Sequence, residues 1–239
     1  MTKITTAVLP VAGMGSRFLP ITKASPKEML PIIDKPLIQY IVDEAVASGI
    51  KQIVLVTSYT KRAIEDYFDT SYELEKRLFE RGKYELLQSI QNMLPRDVSV
   101  AYVRQSEPKG LGHAVLCAEK VVGQQPFAVL LADDIIDAEQ PCLAGMIEQY
   151  ASTQSSVLAV ETVPSELIHQ YGVVQLDAAG ERVASIVEKP PAAMAPSNLG
   201  VIGRYILSPA IFTHLKAIPV GAGGEIQLTD AIALLLAHE

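Results

Sequence analysis

Cysteine is almost missing from this chain: in 239 residues only Cys117 and Cys142 occur, far apart and without the spacing of metal ligands. That excludes a disulfide-stapled secreted domain and a cysteine zinc site, and predicts two reduced core thiols in a cytosolic protein. A basic excess is also missing, since 20 Lys and Arg stand against 27 Asp and Glu, a formal net charge of -7. General nucleic-acid binding needs a cationic face that neutralises phosphates and is excluded as a class, although a local cluster of cations can still hold a small anion. No apolar run approaches the roughly 20 residues of a membrane span, and no charged-then-apolar leader precedes the first strand-like segment. The expectation is a soluble, cytoplasmic chain without a membrane partner. Two common phosphate motifs are absent as well. The P-loop needs Gly-Lys-Ser/Thr, and the dinucleotide fingerprint needs a small residue where Phe18 stands, so neither a P-loop ATPase nor an NAD enzyme is favoured.

What the chain does have is a strand-length apolar run, Thr5 to Val11, that breaks into Ala12-Gly13-Met14-Gly15-Ser16-Arg17. Glycines there permit positive φ and let a ligand reach N–H groups that a Cβ would shield, so the backbone at Ala12, Gly13 and Gly15 is the expected nucleotide cradle. Two cations follow, Arg17 and Lys27, in a segment pinned by Pro20, Pro26 and Pro31. A guanidinium fork and an ammonium point charge together suit a polyphosphate better than a single phosphate.

Alternating apolar runs and helical periodicity predict an α/β chain, one domain over 1–239. The strands are expected near Thr5 to Val11, Gln52 to Thr57, Val98 to Val103 and Phe127 to Ala132, in a mostly parallel sheet with flanking helices. The stretch from Lys61 to about Gln91 reads as helical, with Ile64, Tyr67, Phe68, Leu74, Leu78, Leu86, Leu87 and Ile90 as its buried stripe. Further on, Tyr171 to Leu176 and Arg182 to Glu188 alternate about the Asp177-Ala-Ala-Gly180 turn and predict an antiparallel hairpin. Glu188 and Lys189 are adjacent strand residues, so their side chains are expected on opposite sides rather than as a local ion pair. Asp133 stands at the carboxyl end of the fourth strand, where ligands collect in open α/β sheets, and is the metal candidate. Asp134 and Asp137 read more simply as turn or cap residues, and His113 as part of a helix's first turn without a catalytic role.

Gly13-x-Gly15-x-Arg17-Phe18-x-Pro20, Pro26-Lys27-Glu28-Met29-Leu30-Pro31 and Lys35-Pro36-Leu37-Ile38-Gln39-Tyr40 resemble the signature of the sugar-1-phosphate nucleotidyltransferases. Within them the likeness is to the bacterial UTP:glucose-1-phosphate uridylyltransferases. The resemblance implies the nucleotide-diphospho-sugar transferase fold, Rossmann-like with a sugar-binding hairpin, and synthesis of UDP-glucose and pyrophosphate from UTP and glucose 1-phosphate. It implies Mg²⁺ as cofactor on Asp133, Gln105 reading the pyrimidine edge with Gly110 against the nucleoside, and Glu188, Gly172 and Asn198 at the sugar. Arg17, Lys27 and Lys189 would be the catalytic cations, on pyrophosphate, triphosphate and sugar phosphate respectively. Family members continue past the last residue here into a segment used in subunit contacts, which implies a homo-oligomer if that segment exists. A different nucleotide or sugar phosphate, such as thymidine triphosphate, a silent regulatory paralogue, and a nucleotide-binding module without a sugar site remain the alternatives at this stage.

Overall fold

A computed structural model describes residues 3–238. In chain order the elements are β1 (Thr6–Pro10), β2 (Pro31–Ile32), β3 (Lys35–Pro36), α1 (Leu37–Ala47), β4 (Gln52–Thr57), α2 (Arg62–Phe68), α3 (Tyr72–Glu80) and α4 (Tyr84–Gln91). They continue with β5 (Ser99–Arg104), α5 (Leu111–Cys117), α6 (Glu119–Val122), β6 (Phe127–Leu130), α7 (Cys142–Thr153) and β7 (Val157–Thr162). The last part holds β8 (Gly172–Leu176), β9 (Val183–Glu188), β10 (Leu199–Leu207), α8 (Ile211–Ala217) and α9 (Leu228–Leu235).

The central sheet has eight strands, with β5-β4-β1-β6-β10-β8-β9 along the main path and β7 paired to β10. Strands β5, β4, β1 and β6 run parallel to one another. Their near-continuous apolar sequences follow from burial on both faces. Along β1, Val8 packs with Val54, Val129, Phe212 and Leu228 on one side. Its neighbours Ala7 and Leu9 pack with Ile38, Ile41, Ile53 and Leu143 on the other. Helices α5, α8 and α9 cover the first face and α1 and α7 the second. Because the four strands are parallel, the loops after β1, β4, β5 and β6 all leave from one sheet edge.

Strand β10 carries the antiparallel half. Its end pairs with β6 through Arg204↔Leu130 and Tyr205↔Val129, while its start pairs with β8 through Gly200↔Val173. The register against β7 shifts between Val201 and Tyr205, with Gly203 at φ +68 in the irregular stretch, so β10 bends and passes from one neighbour to the other. This bulge is the joint between the parallel core and the β8–β9 hairpin. The hairpin continues the sheet edge to edge through β8 rather than lying across the strand ends.

Two expectations need correction. The charged stretch after Lys61 forms three short helices, α2 to α4, and only Ile64 of the expected stripe is buried; α3 and α4 contain no buried residue. Leu74 and Leu86 are exposed, and Phe79 meets Tyr84 edge-on at 5.9 Å, because this helical pair packs on itself outside the sheet and amphipathic spacing alone does not supply a partner. Cys117 and Cys142 are free thiols, but they sit half-buried at the margins of the two cores rather than inside them. No helix among the described residues is long and apolar enough to cross a membrane.

Candidate active site

The loop after β1 is anchored on the core at its start and closed further on by local bonds. Val11 N–H donates to the Val56 carbonyl at 2.9 Å, and Ala12 is buried beneath the turn. At Gly13 an added Cβ would meet nothing within 4 Å, so packing does not require glycine there and the space over its backbone is open. Gly15 is different: it takes φ +67, and an added Cβ would approach Thr22 Cγ2 at 3.2 Å and Lys27 Cβ at 3.3 Å. The Thr22 hydroxyl donates to the Gly15 carbonyl at 2.8 Å and closes the turn. Arg17 is thereby carried on a 3-10 turn, Ser16–Phe18, and is exposed.

Lys27 starts a third short turn, Lys27–Met29, and its Nζ lies 2.7 Å from Asp133 Oδ2 at the carboxyl end of β6. Burial pushes the Asp133 carboxyl up, but the Lys27 charge and hydrogen bond, its own backbone N–H and Arg17 outweigh this and hold it below the ordinary carboxylate range. Asp134 behaves oppositely, pushed up by burial and then by the neighbouring Asp133 charge. Its carboxylate turns inward, with Oδ2 only 2.1 Å from where a Cβ on Gly203 would stand, so the bulge glycine makes room for it.

The β5 exit holds the second group. Gln105 is buried, and its Nε2 donates to the Gly110 carbonyl at 3.1 Å and lies 3.0 Å from His113 Nδ1. Both amide donors are thus engaged inside the loop, with His113 orienting the amide, a role that its position in a first helical turn did not reveal. Gly110 sits at φ +92, where a Cβ would come 2.6 Å from Glu225 Cβ. Ile226 zips to this loop, its N–H donating to the Lys109 carbonyl at 2.8 Å and its carbonyl accepting from Gly112 N–H at 2.9 Å.

The third group is at the end of β9. The expectation that Glu188 and Lys189 face apart is wrong: Lys189 Nζ lies 3.0 Å from Glu188 Oε1. Strand alternation ends at Glu188 because Lys189 takes φ +41, a left-handed conformation that swings its side chain back toward its neighbour. The other Glu188 oxygen, Oε2, accepts the Thr229 hydroxyl at 3.0 Å. Gly172 lies opposite Glu188 in register, and a Cβ there would meet Thr229 Cγ2 at 2.8 Å. Asn198 is exposed, and its backbone carbonyl accepts the Val163 N–H at 2.9 Å.

The structure therefore joins Arg17, Lys27 and Asp133 in one cluster, Gln105 and Gly110 in a second, and Gly172, Glu188 and Lys189 in a third. The segment from Glu225 to Asp230 touches the second through Ile226 and the third through Thr229. Tyr205 connects the first and third electrically: burial, then the charges of Glu188, Asp134 and Asp133, push its phenol up. Glu225 precedes α9 in extended backbone, and Asp230 lies in the first turn of that helix. Thr229 is a contact that sequence reasoning missed, because it lies 41 residues from Glu188 and no local pattern pairs them.

Comparison with known proteins places the chain among relatives of known name. A family model described as nucleotidyl transferase matches residues 6–239. The UTP--glucose-1-phosphate uridylyltransferase of Bacillus subtilis is 54% identical over 238 residues, covering 98% of this chain and 81% of that protein. Among solved structures, a UTP-bound UGPase from Acinetobacter baumannii superposes with a TM-score of 0.90 at 50% identity, covering 99% of this chain and 84% of the other. A UDP-glucose pyrophosphorylase complexed with UDP-glucose gives a TM-score of 0.88 at 46% identity, over 99% and 88% of the two chains. With a family model over residues 6–239 and a relative 54% identical across nearly the whole chain, the chain belongs to the nucleotidyl transferase family.

Proposed function

We propose that this chain makes UDP-glucose and pyrophosphate from UTP and glucose 1-phosphate. The observation that carries the reading is the Lys27–Asp133 pair at the sheet edge, beside an open glycine loop, with a carboxylate and a second lysine at the hairpin end. The relatives' names and the UTP-bound and UDP-glucose-bound neighbours support the substrate pair.

A phosphate oxygen of glucose 1-phosphate attacks the α-phosphorus of UTP in line. The new P–O bond forms as the bond from the α-phosphorus to the bridging oxygen breaks, and that oxygen leaves with pyrophosphate. The attacking phosphate is already ionised near neutral pH, so no protein nucleophile or base is required. The work is to bring two polyanions together and align them, which falls to cations and positioning. In this reading Arg17 takes the leaving pyrophosphate, Lys27 the triphosphate and Lys189 the sugar phosphate. Lys27 and Lys189 each rest on a carboxylate in the structure and exchange it for phosphate oxygens when substrates bind. With both amide donors of Gln105 engaged, its Oε1 is the group offered to the base, an acceptor suited to the N–H of a uracil edge.

Mg²⁺ is part of the proposal. No group of three or more His, Cys, Asp or Glu among the described residues could hold a metal, so the protein offers no cage. A single ionised carboxylate is enough for Mg²⁺, which completes its shell with water and substrate phosphates, and Asp133 fits that role. The ion supplies charge neutralisation at the phosphates. Glu188 accepts sugar hydroxyls, with Gly172 opposite it in register; Asn198 is proposed as a further sugar contact.

The test is a pyrophosphate-release assay over nucleoside triphosphates and sugar phosphates, with and without Mg²⁺. UTP with glucose 1-phosphate should give the highest kcat/KM. A clear preference for another pair overturns the substrate assignment. Lys189→Ala should lower turnover about a hundredfold with the fold intact; a near wild-type rate removes Lys189 from the site.

A further inference from the structure

Glu28 and Lys61 form a buried ion pair that the chemistry above does not use. Glu28 is 0% exposed and Lys61 3%. Lys61 Nζ meets Glu28 Oε2 at 2.8 Å, and Glu28 Oε1 accepts no hydrogen bond among the described residues. Taking two charges out of water costs several kcal/mol each, and one bond of this kind returns little, so such pairs are weak sources of stability and apolar replacements are often neutral or better.

The position of the pair is more informative than its energy. Glu28 directly follows Lys27, inside a turn whose own bonds are short-range: Met29 N–H to the Pro26 carbonyl and Leu30 N–H to the Lys27 carbonyl. Lys61 ends the loop that leaves β4, where its N–H donates to the Ser58 carbonyl at 3.1 Å and its carbonyl accepts from Ile64 at 3.0 Å. That loop departs from the same sheet edge as Gln105, whose N–H donates to the Thr57 carbonyl at 2.9 Å. The pair therefore pins the Lys27 turn to the parallel core from below, while Gly15 packs against Lys27 Cβ from the loop side. Downstream of the lysine the segment is also tied by the Leu37 N–H bond to the Leu30 carbonyl at 3.0 Å and by Met29 against the second-face core, so the pair is the tie next to Lys27 itself.

We propose that Glu28 and Lys61 are positioning residues that fix the Lys27 ammonium for the triphosphate. The proposal rests on the reading of Lys27 given above, and its test separates the two. In the full chain, Glu28→Leu/Lys61→Met replaces the pair by apolar side chains of similar size. Its thermal midpoint should equal or exceed that of the parent, while kcat/KM for UTP falls about tenfold to a hundredfold, the size expected for a displaced catalytic group. A purely structural pair would not separate these two readouts. The same swap made in a Lys27→Ala background should cost less than threefold further, because two changes acting through one side chain are not additive. Glu28→Gln, which removes the carboxylate charge and leaves Lys61 a weaker neutral partner, is measured in the same cycle and covers failure of the double swap to fold; its kcat/KM for UTP should fall about threefold or more. A swap or Glu28→Gln enzyme with parental kcat/KM, alongside a disabled Lys27→Ala enzyme, overturns the positioning role alone. Full additivity with Lys27→Ala overturns it as well. A Lys27→Ala enzyme at the parental rate removes the reading of Lys27 and this proposal with it.

Discussion

At the scale of single residues, the site depends on side chains held in unusual conformations by specific neighbours. Thr229 donates to Glu188 Oε2 while Lys189 holds Oε1, so both oxygens of the carboxylate proposed to bind the sugar are fixed. Thr229→Val keeps the shape and removes one hydrogen bond to a charged group, a change of roughly 1.5–3 kcal/mol. Steady-state kinetics should therefore show the glucose 1-phosphate KM rising about tenfold or more, with the UTP KM unchanged and Thr229→Ser restoring it; equal shifts in both would contradict this division. Gly110 is constrained for a steric reason. At φ +92, with Glu225 Cβ 2.6 Å from the position of a new Cβ, Gly110→Ala should lose about 1–3 kcal/mol in chemical denaturation. The glycine was legible in the sequence as a loop residue, but its partner Glu225 lies far along the chain and no local rule pairs them.

At the scale of elements, the β8–β9 hairpin was legible from alternation about Asp177-Ala-Ala-Gly180, and its turn is stabilised through the acid at its start. The Asp177 carboxylate accepts the N–H groups of Glu181 at 3.0 Å and Arg182 at 3.3 Å. The Glu181 bond first, then that of Arg182, hold its carboxyl below its ordinary 3.8. A depressed carboxyl contributes stability above its unfolded pKa and loses it as pH falls through the folded value, so the turn should loosen only in acid below about pH 4. A carbon-detected carboxyl titration should place the Asp177 midpoint under 3.8, and a midpoint above it would contradict the bonding. In Asp177→Ala, amide exchange should quicken in β8 and β9 and stay unchanged in β1, β4 and β6, because the turn serves the hairpin alone. The α3–α4 pair shows the opposite limit of local reasoning: its helical period was readable, its lack of a core was not. Periodicity reports which face is apolar, and only assembly decides whether anything covers it.

At the scale of the whole molecule, the acidic chain keeps its buried charges paired across elements distant in sequence. Arg204 is fully buried in β10, with Nε and Nη2 on the Glu44 carboxylate of α1, Nη2 also on the Asp134 carbonyl at 2.7 Å, and Nη1 on the Leu131 carbonyl at 3.2 Å. One guanidinium thus ties the antiparallel half, the second-face helices and the loop that carries Asp133. Glu44→Ala leaves that cation buried without its carboxylate and should cost about 3–5 kcal/mol in unfolding free energy. A loss under 1 kcal/mol would show that the carbonyls alone satisfy Arg204.

The sequence by itself determined the parallel core, the glycine loop, the cations Arg17 and Lys27 and the acid at the end of β6, because apolar period, glycine spacing and strand ends are local properties that a chain displays before it folds. Tertiary structure alone decided that Lys189 turns back onto Glu188, that His113 orients Gln105, that Gly203 yields space to Asp134, and that Thr229, Arg204 and Lys61 serve groups up to 160 residues away. Some of those contacts join elements far apart in sequence and others turn on a single backbone angle, and side-chain reach in either case follows from register, bulge and local φ, which no apolar period encodes.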